Sequence, residues 1–227
     1  MGTLLCYARA IDNTMLVALG TLAAAISKGT EETIKEMWHL LDCAATHLNA
    51  ILRCRASDVT PHVDSDASYL SESEARSRAG GFHFLGDSVP IPPPPNMKPT
   101  KINGPILIVS NIMAVVLSSA AEAEMGGLFH NGKEGEVIRT TLIEMGHPQP
   151  PTIITTDNST AEGIVNETVK QRRSKAFDMQ LYWMRDRSKQ GHFIVRWDAG
   201  KNNCGDYYTK RHPTSHHIKM RPMCLKE

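Results

Sequence analysis

From Asp58 the chain changes its period. In HVDSDASYL, which starts at His62, polar and apolar residues alternate, placing Val63, Ser65, Ala67 and Tyr69 on one face of an extended strand and His62, Asp64, Asp66 and Ser68 on the other. RAGGFHFLGD and GPILIVSNIMAVVL read as two further strands. Between them lies SVPIPPPPNMKPTKIN. Proline has no backbone donor, so this tract cannot enter a ladder and must be an exposed loop of polyproline character.

After these strands the period returns to three and four. SSAAEAEMGGLFHNGKEGEVIRTTLIEMG is predicted helical, and PTIITTD is a short β-branched strand that ends in an aspartate. A helix over 159 to about 169, a basic connector QRRSK and a helix through AFDMQLYWMRDRSKQ follow. HFIVRW is the last strand, and NNCGDYYTK is expected to open the final helix. The order is three strands, helix, strand, two helices, strand, helix. It predicts an α/β layer fold with a mixed sheet. Ahead of it, residues 14–52 read as two helices, MLVALGTLAAAISKG and TEETIKEMWHLLDCAATHLNAIL, the first broken at Gly29 and the second begun by Thr30. We therefore expect a helical segment over 1–56 and an α/β domain over 57–227.

Composition excludes several classes. At 227 residues there is room for one sizeable domain with an appendage. No apolar run approaches the roughly 20 residues of a membrane span, and nothing at the start has the form of a secretory signal, so an intracellular protein is expected. Cys6, Cys43, Cys54, Cys204 and Cys224 are odd in number, scattered and without a CxxC pair, which predicts reduced thiols. The net charge of +1 conceals an asymmetry. Residues 1–164 hold 11 Lys+Arg against 18 Asp+Glu, a balance of −7, and residues 165–227 hold 14 against 6, a balance of +8. Such a division suits a phosphate-holding surface beside a cation-holding site, although a solvated basic face would have the same composition.

Four acids sit where this fold would bring them together: Asp66 in mid-strand, Glu124 in the first long helix, Asp157 at a strand end and Asp206 near the last helix. Phosphodiester hydrolysis by two metal ions needs clustered hard oxygen donors of this kind. Singly, each acid has a plainer explanation. Asp157 could cap the helix that follows, and Asp206 could sit at a helix start for its dipole. Glu122 is explained by a capping box, Ser119-Ala120-Ala121-Glu122. Glu124 is not, because its helical neighbours Ala120, Ala121, Gly127 and Leu128 make a small apolar face that should pack on the sheet. A carboxylate on such a face needs a partner, which a metal would supply.

SDASY, SSAAEAE, TTDNSTA and NNCGDYYTK, in this order and spacing, resemble the ribonuclease H domain of copia-type LTR retrotransposon polyproteins, and SKAFDMQLYWMRDR is similar to that family's TKHIDIRYHFIRD. The resemblance runs from about Val59 to the end, and the helical start is similar to the connection segment that follows the reverse-transcriptase palm. It implies a ribonuclease H-like three-layer fold with a mixed five-stranded sheet. It also implies cleavage of the RNA strand of RNA–DNA hybrids by two Mg²⁺ ions, with Mn²⁺ as a substitute, on Asp66, Glu124, Asp157 and Asp206. The SDASY match puts the first ligand at Asp66, and Asp64 on the same strand face is the alternative. Asn203 matches the family's asparagine before the last acid, with a role in holding substrate or loop.

Candidate phosphate contacts are Lys170, Arg172, Arg173, Lys175, Lys210 and Arg211. The implied partner is the reverse-transcriptase domain of the same polyprotein, and the implied locations are cytoplasm, virus-like particle or nucleus. Two departures predict slow turnover: Ala176 stands where many relatives have histidine, and Asp198 stands where cellular ribonucleases H carry a loop histidine. Polymerase, protease and integrase motifs are absent, so a fragment or decayed copy is expected, and a non-catalytic nucleic-acid-binding module is the competing reading. An integrase-like strand-transfer core on the same fold is disfavoured by the fourth acid, Asp206. Cys204, His212, His216, His217 and Cys224 also invite a zinc reading, but their spacing matches no finger or ribbon and the carboxylates favour hard cations.

Overall fold

The structure is a computed structural model that describes residues 2–94, 97–169 and 178–226. Its elements in chain order are α1 (Gly2–Ala10), α2 (Leu16–Ala25), α3 (Glu31–Thr46), β1 (Ile51–Leu52), β2 (Thr60–Glu72), β3 (Arg76–Gly86), β4 (Pro105–Ile112), α4 (Ala120–Glu144), β5 (Thr152–Thr156), α5 (Ser159–Val165), α6 (Asp178–Lys189), β6 (Phe193–Trp197), α7 (Thr214–Cys224) and β7 (Leu225–Lys226). A 3₁₀ turn, Cys204–Tyr208, lies between β6 and α7. The main sheet has five strands in the order β4-β3-β2-β5-β6. β2–β3 and β3–β4 are antiparallel, whereas β2–β5 and β5–β6 are parallel. The α/β layer fold with a mixed five-stranded sheet expected from the sequence is therefore present.

The alternation in β2 and β3 divides the interior. Val63, Ala67 and Ala79 face α4, α5 and α6 in one core with Leu128, Leu181, Met184 and Phe193. Phe82 and Phe84 face the other way, into a second core with Val17, Ala50, Tyr207, Tyr208 and Cys224. The N-terminal helices therefore cover the second face of the sheet together with the chain's last elements. Arg78, fully buried, is bound there by Glu72, Thr21 and Ser110. A buried ion pair between Asp12 and Arg221 joins the segment before α2 to α7.

Three local expectations are corrected. The second N-terminal helix stops at Thr46, and Ile51–Leu52 leaves it to pair antiparallel with Leu225–Lys226, a partner at the far end of the chain. α5 ends at Val165 instead of continuing to about 169. The NNCGDYYTK segment forms the 3₁₀ turn and not a helix start, since α7 begins only at Thr214, behind Pro213.

Candidate metal centre

Parallel pairing between β2 and β5 runs through His62↔Ile153, Val63↔Ile154 and Asp64↔Thr155, then stops. Two residues farther along each strand come Asp66 and Asp157, so the carboxylates flank the fork where the strands part. Asp157 is free to point there because Asn158 takes the cap of α5, its Oδ1 accepting from the Thr160 and Ala161 backbone N–H groups at 3.0 Å each. α4 supplies Glu124. Its start is set by Ser119, whose Oγ accepts from Glu122 N, while Glu122 reaches back to the N–H and hydroxyl of Ser118. The small face of α4 then lies directly on β2. A side chain at Gly127 would meet the Asp66 carbonyl oxygen at 2.9 Å, and Asn131, fully buried, donates to Ser65 Oγ and Gly80 O at 2.9 Å.

The result is one cluster in which Asp66, Glu124 and Asp157 offer oxygens all within 4.8 Å of one another. Asp66 is only 6% exposed and Glu124 8%. Burial raises the Asp66 carboxyl above its ordinary range, and the charges of Asp157 and then Asp206 raise it further. Glu124 is raised by burial and then by Asp66, Asp157 and Asp206. Asp157 moves the same way, from burial and then Asp206. Glu124 Oε2 is buried and accepts no hydrogen bond among the described residues. Hard oxygen donors, mutual repulsion and a buried carboxylate oxygen without a partner fit a divalent cation.

Asp206 enters on the 3₁₀ turn. Glycines permit the approach, since a side chain at Gly80 would meet Gly205 O and Thr209 Cγ2 at 2.5 Å. Asn203 fastens the turn to β2, its Nδ2 donating to Ser65 O and its Oδ1 accepting from Gly205 N, both at 2.8 Å. Asp206 Oδ1 is held by Lys210 Nζ at 2.6 Å, and the carboxylate also stands within reach of His212 and His216. Asp64 is buried outside the three-acid cluster, its Oδ2 accepting from Cys204 N at 3.3 Å. It lines a cleft of about 420 Å³ together with Asn203, Asp206 and His216.

Of the proposed phosphate contacts, Lys170, Arg172, Arg173 and Lys175 lie outside the described residues. Lys210 is paired with Asp206, and Arg211 forms a two-point ion pair with Glu36 of α3 at 2.6 and 3.0 Å. Asp198 organises its own loop through Ala199 N at 2.7 Å and Asn202 Nδ2 at 3.1 Å. Sequence reasoning passed over Asn131, whose only local signal is an amide on a helix face shared with Gly127, Leu128 and Gly135.

No family model and no curated protein matches this chain. Among solved structures it is similar to LC11-RNase H1, isolated from compost by a metagenomic approach, with 8% identity over 66% of this chain and 93% of that one at a TM-score of 0.47. It is also similar to the N-terminal RNase H domain of rv2228c from Mycobacterium tuberculosis, with 10% identity over 66% and 96% at 0.41. RNase H1 of Halobacterium salinarum NRC-1 matches with 13% identity over 66% and 94% at 0.40. At TM-scores below 0.5 these likenesses assign no residue a role.

Proposed function

We propose that this chain is an endonuclease that hydrolyses the RNA strand of RNA–DNA hybrids, on two divalent cations held by Asp66, Glu124, Asp157 and Asp206. The observation that carries the reading is the three-carboxylate cluster at the β2–β5 fork, in which Asp66 and Glu124 are buried and one Glu124 oxygen has no hydrogen-bond partner among the described residues. Mg²⁺, or Mn²⁺ in its place, would activate water and stabilise the departing oxygen. The chain's own part is positional. Asn203 and Gly80 hold the Asp206 turn against β2, Asn131 holds α4 and hence Glu124, and Asn158 frees Asp157. Phosphate docking falls to the basic C-terminal segment, in which Lys170, Arg172, Arg173, Lys175, Lys210 and Arg211 are the proposed contacts.

The motif resemblance supports a copia-type Pol polyprotein as the source of the chain, with the reverse-transcriptase domain as the proposed partner and cytoplasm, virus-like particle or nucleus as the proposed location. No helix among the described residues is long and apolar enough to cross a membrane. Residues 57–227 are proposed as the catalytic domain and 1–56 as a connection segment that supplies no ligand yet covers the second face of the sheet.

One observation favours a second reading, a catalytically decayed nucleic-acid-binding module: Lys210 neutralises Asp206 at 2.6 Å. Cleavage of labelled hybrid, double-stranded RNA and double-stranded DNA in Mg²⁺ separates the two. The nuclease reading expects cleavage of hybrid alone, abolished by chelator and by Asp157→Asn. Hybrid binding without cleavage would select the decayed module.

A further inference from the structure

The five C-terminal cysteines and histidines do not act as one group. Cys204 and Cys224 are buried in the second core, with Cys224 Sγ 3.5 Å from Tyr208 Oη. His217 Nδ1 is engaged by the Tyr207 hydroxyl. His212 and His216 remain, both half-buried, and with Asp206 they present three donor atoms within 4.8 Å of one another. Their rings stack at 4.3 Å, and Tyr207 backs His212 at 5.5 Å and 13°. His212 Nε2 lies 3.2 Å from the Asp206 carbonyl oxygen. With Nε2–H as the donor to that carbonyl, Nδ1 keeps its lone pair, the arrangement in which a backbone acceptor fixes the tautomer of a metal-binding imidazole. His216 and Asp206 both line the open cleft, which provides an entry path.

We infer that Asp206, His212 and His216 form a second cation site, selective for a borderline transition-metal ion such as Zn²⁺. Two imidazoles and one carboxylate match the donors Zn²⁺ prefers and differ from the all-oxygen cluster beside them. The three donors lie within 4.8 Å of one another, and an ion with Zn–N and Zn–O distances of about 2.0–2.2 Å would draw them together. Lys210 occupies one Asp206 oxygen and leaves the other for the ion. Asp206 belongs to both sites, so loading the histidine side withdraws it from Asp66 and Asp157. Zn²⁺ then inhibits cleavage. That consequence rests on the proposed nuclease function, whereas the binding does not.

The test uses the full chain stripped with chelator and titrated calorimetrically with Zn²⁺ in excess Mg²⁺, with Co²⁺ absorption as a report of nitrogen ligation. Wild type and Glu124→Gln are expected to bind one equivalent that Mg²⁺ does not displace. His212→Gln/His216→Gln should lose it, and His216→Gln alone should weaken it by at least the roughly tenfold cost of losing a supporting metal-site residue. Near-UV dichroism establishes that these half-exposed variants are folded. Unchanged Zn²⁺ affinity in the folded double variant, or no Mg²⁺-resistant equivalent in wild type, overturns the site. Histidine-dependent binding without inhibition of hybrid cleavage would instead count against Asp206 in the nuclease reading and leave the site standing.

Discussion

Replacing Arg221 with methionine tests whether the N-terminal segment is an integral layer of the fold. Arg221 Nη1 donates to both Asp12 oxygens at 3.0 and 2.8 Å and to Thr14 Oγ1 at 2.8 Å, with the two charged side chains only 5% and 2% exposed. Methionine keeps much of the volume but strands the Asp12 charge in a site closed to water. Breaking a buried pair from one side costs about 3–5 kcal/mol. For a protein of this length each kcal/mol moves Tm by roughly 2–4 °C, so a fall of about 6–20 °C is expected. Thermal unfolding followed by circular dichroism measures it. Asp12→Leu/Arg221→Met should recover most of the loss, because a well-packed apolar pair replaces both charges. Lys28→Ala breaks an exposed pair with Glu74 and should shift stability by no more than about 0.5 kcal/mol. If Arg221→Met unfolds no earlier than Lys28→Ala, the N-terminal segment is not anchored as described.

Burial pushes the Asp64 carboxyl up to about 7, so its neutral form is favoured in the folded chain. The associated stability is complete below about pH 4, near the ordinary aspartate value, and is lost as pH rises through about 7. In chelator, Asp64→Asn should therefore raise Tm more at pH 8 than at pH 5, and an equal change at both refutes the assignment. Asp66, Glu124 and Asp157 are raised as well, so Mg²⁺ should raise Tm, more strongly at pH 8 than at pH 5. Glu124→Gln should remove most of that gain, and a Mg²⁺ effect of the same size in the variant would place the ion elsewhere. Changing Arg172, Arg173 and Lys175 to alanine should weaken hybrid binding for every base sequence and flatten the salt slope by about one unit per lost phosphate contact, with saturated turnover kept. An unchanged slope would make this run a solvated surface.

The alternation from His62 to Tyr69 was enough to say which side chains share a face, because strand geometry couples each residue to its second neighbour. Hence Asp64 and Asp66 could be separated from Val63, Ser65 and Ala67 by reading alone. The capping at Ser119 and the small face around Glu124 were likewise legible, being set by neighbours within one helical turn. Tertiary structure decided everything that depends on partners far along the chain. Asp66 meets Asp157 only because β2 pairs in parallel with β5, and Ile51–Leu52 became a strand only because Leu225–Lys226 arrived to pair with it. The same holds for the 3₁₀ turn under Asp206, for Arg211 turned toward Glu36, and for the separation of His212 and His216 from the buried cysteines. Local propensity and spacing carry no information about which distant segment fills the second face of a sheet, so those contacts were settled when the N-terminal helices and the C-terminal turn closed over Phe82 and Phe84.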